Sequence, residues 1–248
     1  MDIKIYKSAS ELGKAAGIAA GKLIREEIKK NGTANIILAT GTSQFETLNQ
    51  LIREQDIDWS KVVMFHLDEY IGLPITHNAS FRKYLKDRFL SKVPALKAAH
   101  LINGDANTKA ECARLNDLIS KHPISVALVG IGENAHLAFN DPPADFDVED
   151  PYIVVDLDSE CRQQQFNEGW FKSIDDVPKQ AISMSVKQIL KSKNIICSVP
   201  DERKAIAVRN TLQSPITNLY PASILQSHDN CVIYLDEYSS ALSSAMSS

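Results

Sequence analysis

The sequence predicts an α/β protein: one domain, three layers, with a mostly parallel sheet between two layers of helices. Two observations carry this. Short runs rich in Val and Ile alternate with segments whose apolar residues recur at helical spacing. No internal repeat, low-complexity tract or long linker divides the 248 residues, and at roughly 150 residues per domain this length suits one large domain or two small ones.

The elements follow in order. Residues 8–30 read as a helix, with Ser8 and Glu11 as a capping box and Asn31-Gly32 as the stop. Residues 35–39 (NIILA) form a strand that ends in Thr40-Gly41-Thr42-Ser43. A helix over about 44–54 places Phe45, Leu48, Leu51 and Ile52 on one face. Val62–Phe65 is the next strand, and it runs into His66-Leu67-Asp68-Glu69. Helical patterns over about 79–90 and 107–121 precede a strand at 124–129, which ends in Gly130-Ile131-Gly132. Strands are expected at 152–155, near 194–199 and at 231–235, with helices near 201–213 and 222–227. The Pro- and Asp-rich stretch 141–151 reads as a loop, and the small polar tail from Ser239 onward is expected to fray.

Composition excludes several classes. With 27 Lys+Arg against 31 Asp+Glu the net charge is −4, which argues against a nucleic-acid or polybasic membrane surface. No apolar run approaches the ~20 residues that span a bilayer. The N-terminus lacks an apolar signal segment, so a cytoplasmic protein is expected. The four cysteines are widely spaced and fit free thiols in a reducing compartment. No HxxxH, HxH or CxxC spacing appears, His66 and His77 make no motif, and no metal is expected.

In such sheets ligands bind beyond the carboxyl ends of the strands, and three strand ends here carry polar chemistry. Thr40, Gly41, Thr42 and Ser43 join a strand to a helix, where backbone N–H groups and hydroxyls suit a phosphate. The same residues also read as an ordinary turn with Ser43 as N-cap. Asp68, at a strand end against a buried sheet, is a candidate general base with a raised pKa, although acidic turns are common. His136 stands five residues before Asp141, a carboxylate placed to orient it or support its acid–base work. A helix-start histidine bonded to backbone is the plainer alternative. Lys204, early in a helix, is a point charge that could complete a phosphate site, or a surface lysine. Together these residues suggest acid–base handling of a small phosphorylated substrate.

The segments LATGTSQFETLNQL, FHLDEYIGLPITHNASFRKYL, GIGENAHLAFNDPP and VPKQAISMSVKQILKSK, in this order, resemble the glucosamine-6-phosphate deaminase (isomerase) family, which is related to 6-phosphogluconolactonase. The resemblance implies a NagB-like fold. It implies conversion of glucosamine 6-phosphate and water to fructose 6-phosphate and ammonium, without cofactor or metal. His136 matches the family's ring-opening histidine, and Asp68 matches the base that moves a proton from C2 to C1. Thr40, Gly41, Thr42, Ser43 and Lys204 match phosphate-binding positions, and Arg162 is assigned to a further phosphate-binding arginine.

Two positions depart from the family pattern. Asn134 stands where an Asp is common, so it can hydrogen-bond but brings no charge to an imidazolium. Asp141 stands where a Glu is usual. The loop aligned with a regulatory N-acetylglucosamine 6-phosphate site has no Lys or Arg, so no such activation is expected. Galactosamine-6-phosphate deaminase, 6-phosphogluconolactonase and a non-catalytic sugar-phosphate sensor are the alternative readings. Family members range from monomers to hexamers, and a homo-oligomer is compatible with the resemblance.

Overall fold

Most of the apolar runs become strands buried on both faces. The computed structural model describes residues 1–243. Its strands are β1 (Asp2–Tyr6), β2 (Ala34–Leu38), β3 (Val62–His66), β4 (Asp68–Tyr70), β5 (Ala98–His100), β6 (Val126–Val129), β7 (Tyr152–Asp156), β8 (Gln180–Met184), β9 (Asn194–Val199) and β10 (Cys231–Asp236). The α-helices are α1 (Ala9–Asn31), α2 (Phe45–Leu51), α3 (Phe81–Leu85), α4 (Thr108–Ser120), α5 (Ser159–Asn167), α6 (Val186–Leu190) and α7 (Ala205–Gln213).

Seven strands form one sheet in the order β1-β10-β9-β6-β2-β3-β5, and every pairing in it is parallel. Side chains alternate across a strand, so Ile37, Val63, Phe65, Ala127 and Val129 enter one core. Ile36, Leu38, Val62, Met64 and Leu128 enter the other. α1 and α2 cover the second face through Leu12, Ala16, Ala20, Ile24, Leu48 and Leu51. α4, α6 and α7 supply Leu115, Ile119, Ile189, Ala207 and Val208 to the first. This is the three-layer arrangement expected of a parallel sheet.

The order of the strands locates the crevice. From β2 the chain steps outward to β3 and β5, then returns to β6 on the other side of β2 and continues to β9 and β10. Helices on either side of that reversal diverge, and a cleft opens beyond the carboxyl ends of β2 and β6. Thr40–Ser43 follow one of these strands, and Gly130–His136 follow the other.

Several expectations are corrected. A second, antiparallel sheet, β4-β8-β7, lies outside the reading of the sequence. Its strand β4 has three residues, too few to show a period. The edge strand β1 is mostly exposed and so lacks an apolar signature. The helix expected at 44–54 begins as a 3-10 turn at Thr42–Gln44, so Ser43 lies inside the turn and is not its N-cap. The helix expected at 79–90 is α3 followed by a π segment, Lys86–Leu90. α5 and α6 are additional to the helices the sequence predicts. Ser239 is buried and donates its N–H to Asp236 Oδ1 at 2.7 Å, so the tail does not fray there; residues 244–248 lie outside the described residues. No described helix is long and apolar enough to cross a membrane.

Candidate active site

Thr40, Gly41, Thr42 and Ser43 share one cavity with Asp68, His136, Gln164, Glu168 and Lys204. The three polar strand ends therefore meet at the crevice. Gly41 adopts φ +91°, a backbone conformation that side chains disfavour. Its carbonyl accepts the Tyr84 hydroxyl at 2.8 Å. Gln44 fixes the turn to both neighbouring strands, donating to Val129 O at 3.2 Å and Ser198 O at 3.4 Å.

Lys204 faces the same cavity. It is buried, and no protein hydrogen bond or ion pair holds its ammonium among the described residues. Burial lowers its pKa, with Glu168 and Glu133 opposing that shift. A buried cation without a partner is costly, and an anion in the cavity would relieve that cost.

The Asp68-Glu69 pair divides its work because adjacent strand residues point to opposite sides. Glu69 is fully buried. It accepts Ser80 Oγ at 3.0 Å, Arg82 N at 2.8 Å, Phe81 N at 3.1 Å and Arg82 Nε at 3.3 Å. It is an anchor for the start of α3. Asp68 faces the cavity, and among the described residues no protein donor holds its carboxylate. Burial, with the Glu69 charge second, pushes its pKa up to about 8. A carboxyl tuned in this way is suited to move a proton near neutral pH.

His136 is held from both sides. Its Nδ1 lies 2.6 Å from Asn134 Oδ1 and 3.2 Å from Asp141 Oδ1. Both neighbours are acceptors, so Nδ1 carries the ring hydrogen and Nε2 keeps the lone pair. Asn134 is oriented in turn by donating Nδ2 to Asp158 Oδ2 at 3.3 Å. Burial pushes the Asp141 carboxyl up, but the neighbouring His136 and the Asp158 N–H outweigh it and hold the group below the usual carboxylate range. The imidazole lies flat on Gly132: a Cβ there would stand 2.1 Å from His136 Cε1. Asn140 pins the loop by donating to Leu137 O and Met184 O, each at 2.8 Å.

The structure does not bring Arg162 to the cavity, which corrects its assignment to phosphate. Its guanidinium donates to Ile174 O at 2.8 Å and Val177 O at 3.1 Å. It ties α5 to the turn that follows and is spent on backbone carbonyls. The same helix supplies residues the sequence does not point to. Gln164 lines the cavity and accepts Glu133 N at 2.8 Å; Gln165 accepts the Tyr70 hydroxyl at 2.8 Å; Glu168 follows at the helix end. α5 is nearly uniformly polar, so no apolar period marks it. Its one local signal is Asp158 as N-cap, accepting Cys161 N at 2.6 Å.

Fold and site together define a class: an open parallel α/β protein whose switch-point cavity is furnished for acid–base chemistry on a small anion. Comparison with known proteins narrows this. The chain belongs to the family of glucosamine-6-phosphate isomerases and 6-phosphogluconolactonases, whose model matches residues 7–234. It is 36% identical over 236 residues to a glucosamine-6-phosphate deaminase of Streptococcus equi subsp. equi, covering 95% of this chain and 97% of that one. A glucosamine-6-phosphate deaminase of Lactobacillus delbrueckii subsp. bulgaricus is 34% identical over 243 residues, covering 98% and 99%. Among solved structures, a monomeric glucosamine-6-phosphate deaminase of the NagB superfamily superposes with a TM-score of 0.89 at 32% identity, covering 98% of this chain and 100% of that one. A 6-phosphogluconolactonase of Thermotoga maritima shares the fold, with a TM-score of 0.79 at 12% identity over 95% and 99% of the two chains.

Proposed function

We propose that this chain, acting as one domain in the cytoplasm and without a cofactor, converts glucosamine 6-phosphate and water to fructose 6-phosphate and ammonium. The observation that carries this reading is Asp68: a buried carboxyl with no donor among the described residues, in the same cavity as His136 and Lys204. Hydrolysis of a lactone needs an activated water but no proton transfer between carbons. An aldose–ketose shift needs a group that takes a proton from C2 and returns it to C1.

The residues divide the steps as follows. Lys204 and the Thr40–Ser43 turn hold the phosphate, which places the reacting carbons; positioning of this kind can remove several kcal/mol of barrier. His136 Nε2 takes the anomeric hydroxyl proton and returns it to the ring oxygen, opening the pyranose. Ionised Asp68 removes the C2 proton, giving an enolamine, and delivers it to C1. Water then adds to the C2 imine and ammonium leaves. Asn134 and Asp141 keep His136 in the tautomer that the first step requires. The 141–151 loop has no Lys or Arg, and this reading includes no activation by N-acetylglucosamine 6-phosphate.

The test is turnover in deuterated water. Deuterium at C1 of the ketose product supports the reading. Because Asp68 can carry the C2 proton to C1 without exchange, a substrate labelled at C2 is run in parallel; release of ammonium with neither solvent deuterium nor the C2 label at C1, or hydrolysis of 6-phosphogluconolactone alone, overturns it.

A further inference from the structure

Behind the catalytic imidazole, a thiol that the proposed reaction does not use joins the groups that orient the ring. His136 Nδ1, one Asp141 oxygen and Cys161 Sγ all lie within 4.8 Å of one another. They come from three separate places in the chain: the turn after β6, the loop that follows it, and the first turn of α5. Their spacing matches no sequence motif, which is why the sequence predicts no metal.

Two features mark this group as more than a chance encounter. Asp141 Oδ1 is buried and, among the described residues, faces the imidazole at 3.2 Å without a hydrogen bond of good geometry, while Asp158 N donates to the other oxygen, Oδ2, at 3.0 Å. An orphaned buried acceptor of this kind calls for an explanation. The Nδ1–Oδ1 separation, 3.2 Å, is also close to the edge of a tetrahedron about a zinc ion, roughly 3.3 Å for arms of about 2.0 Å. Cys161 Sγ, within 4.8 Å of both other atoms, completes the donor set once it closes to a zinc–sulfur distance of about 2.3 Å. Imidazole, carboxylate and thiol together are ligands for a borderline-soft ion and not for magnesium or calcium.

We propose that His136, Asp141 and Cys161 form a binding site for a divalent cation of the zinc class, and that its occupancy switches the catalytic histidine off. One carboxylate and one thiolate balance the charge of the ion. The thiol proton leaves to solvent on binding, and the imidazole stays neutral. The cation takes the Nδ1 lone pair, so the ring hydrogen must sit on Nε2. That nitrogen then has no lone pair with which to accept the sugar hydroxyl proton. The ion is an inhibitor here and takes no part in the reaction.

The test uses the whole protein and two probes, zinc chloride and cobalt chloride. Cobalt should bind one to one and show a thiolate-to-cobalt charge-transfer band, a readout independent of turnover. Zinc should suppress ammonium release, and magnesium should not. Cys161→Ala and Cys161→Ser should keep basal activity, lose the band and lose at least tenfold in zinc sensitivity. Cys112→Ala, which removes the half-exposed thiol, should behave as wild type. Should Cys161→Ala fold poorly, Cys161→Ser keeps the side-chain volume. Absence of the band from wild type, its persistence in either Cys161 variant, or its loss with Cys112→Ala overturns the proposal. If cobalt binds through Cys161 but activity is unaffected, the switch is refuted.

Discussion

Replacing Asp68 by Asn gives two opposite and measurable effects. The carboxyl is buried, and its pKa is pushed from the usual 3.8 up to about 8. For a group raised on folding, the folded state favours the protonated form. Stability is therefore highest below the unfolded pKa and falls as pH rises towards the folded pKa. Between about pH 5 and about pH 9, with each unit equal to about 1.4 kcal/mol, ionisation of Asp68 should cost wild type about 4 kcal/mol. The amide that replaces the carboxyl has the same shape and no charge, so the variant should escape this cost. In urea denaturation, the stability of Asp68→Asn relative to wild type should rise by about 4 kcal/mol over that interval. Activity should move the other way. Loss of a positioned base costs about 10²–10⁴-fold. Wild-type kcat/KM should itself rise with pH towards about 8 as Asp68 ionises. A relative stability that is flat with pH would refute the burial argument, and a variant within tenfold of wild type in ammonium release would refute the assignment of Asp68 as base.

Three further outcomes follow from the site. Lys204→Met removes a buried, unpartnered cation, so it should raise the melting temperature, while losing a charged hydrogen bond worth about 1.5–3 kcal/mol should lower kcat/KM by about 10–10²-fold. Calorimetry and steady-state kinetics on one preparation check both. Gly132→Ala places a methyl where the His136 ring lies; a folded protein with kcat reduced about 10²-fold is expected from a displaced catalytic group, read by circular dichroism and rate. Asn134→Leu removes the acceptor 2.6 Å from His136 Nδ1; kcat should fall about 10–10²-fold with KM nearly unchanged, because phosphate contacts are untouched.

The parts of this molecule that are readable from sequence are those whose signal is local. β2, β3, β6, β9 and β10 are apolar runs buried in the central sheet, and their hydrophobicity marks them directly. α1 has its cap written out, with Ser8 accepting Glu11 N at one end and Gly32 in the left-handed region at the other. Asp68, His136 and Lys204 stand out because strand and helix ends bound the search. What escapes depends on tertiary contact. β4 exists only because Asp68–Tyr70 pair with Ala181–Ser183, far along the chain. α5 shows no apolar period because the face that walls the cavity is polar and only Cys161 and Phe166 turn towards a core. The assignment of Arg162 rests on residue type, and nothing in its neighbours reveals that carbonyls at Ile174 and Val177 take its guanidinium. Likewise, Asp68 and Glu69 are equivalent on paper; only the strand alternation and the donors from α3 separate the acid that faces the cavity from the acid that anchors.

The central claim is that this cavity isomerises and deaminates an amino-sugar phosphate. It is tested most directly by measuring ammonium and fructose 6-phosphate released from glucosamine 6-phosphate, with galactosamine 6-phosphate and 6-phosphogluconolactone run alongside. The account predicts equal amounts of both products from glucosamine 6-phosphate. Hydrolysis of the lactone alone, or tight binding of the amino sugar with no release of either product, would contradict it.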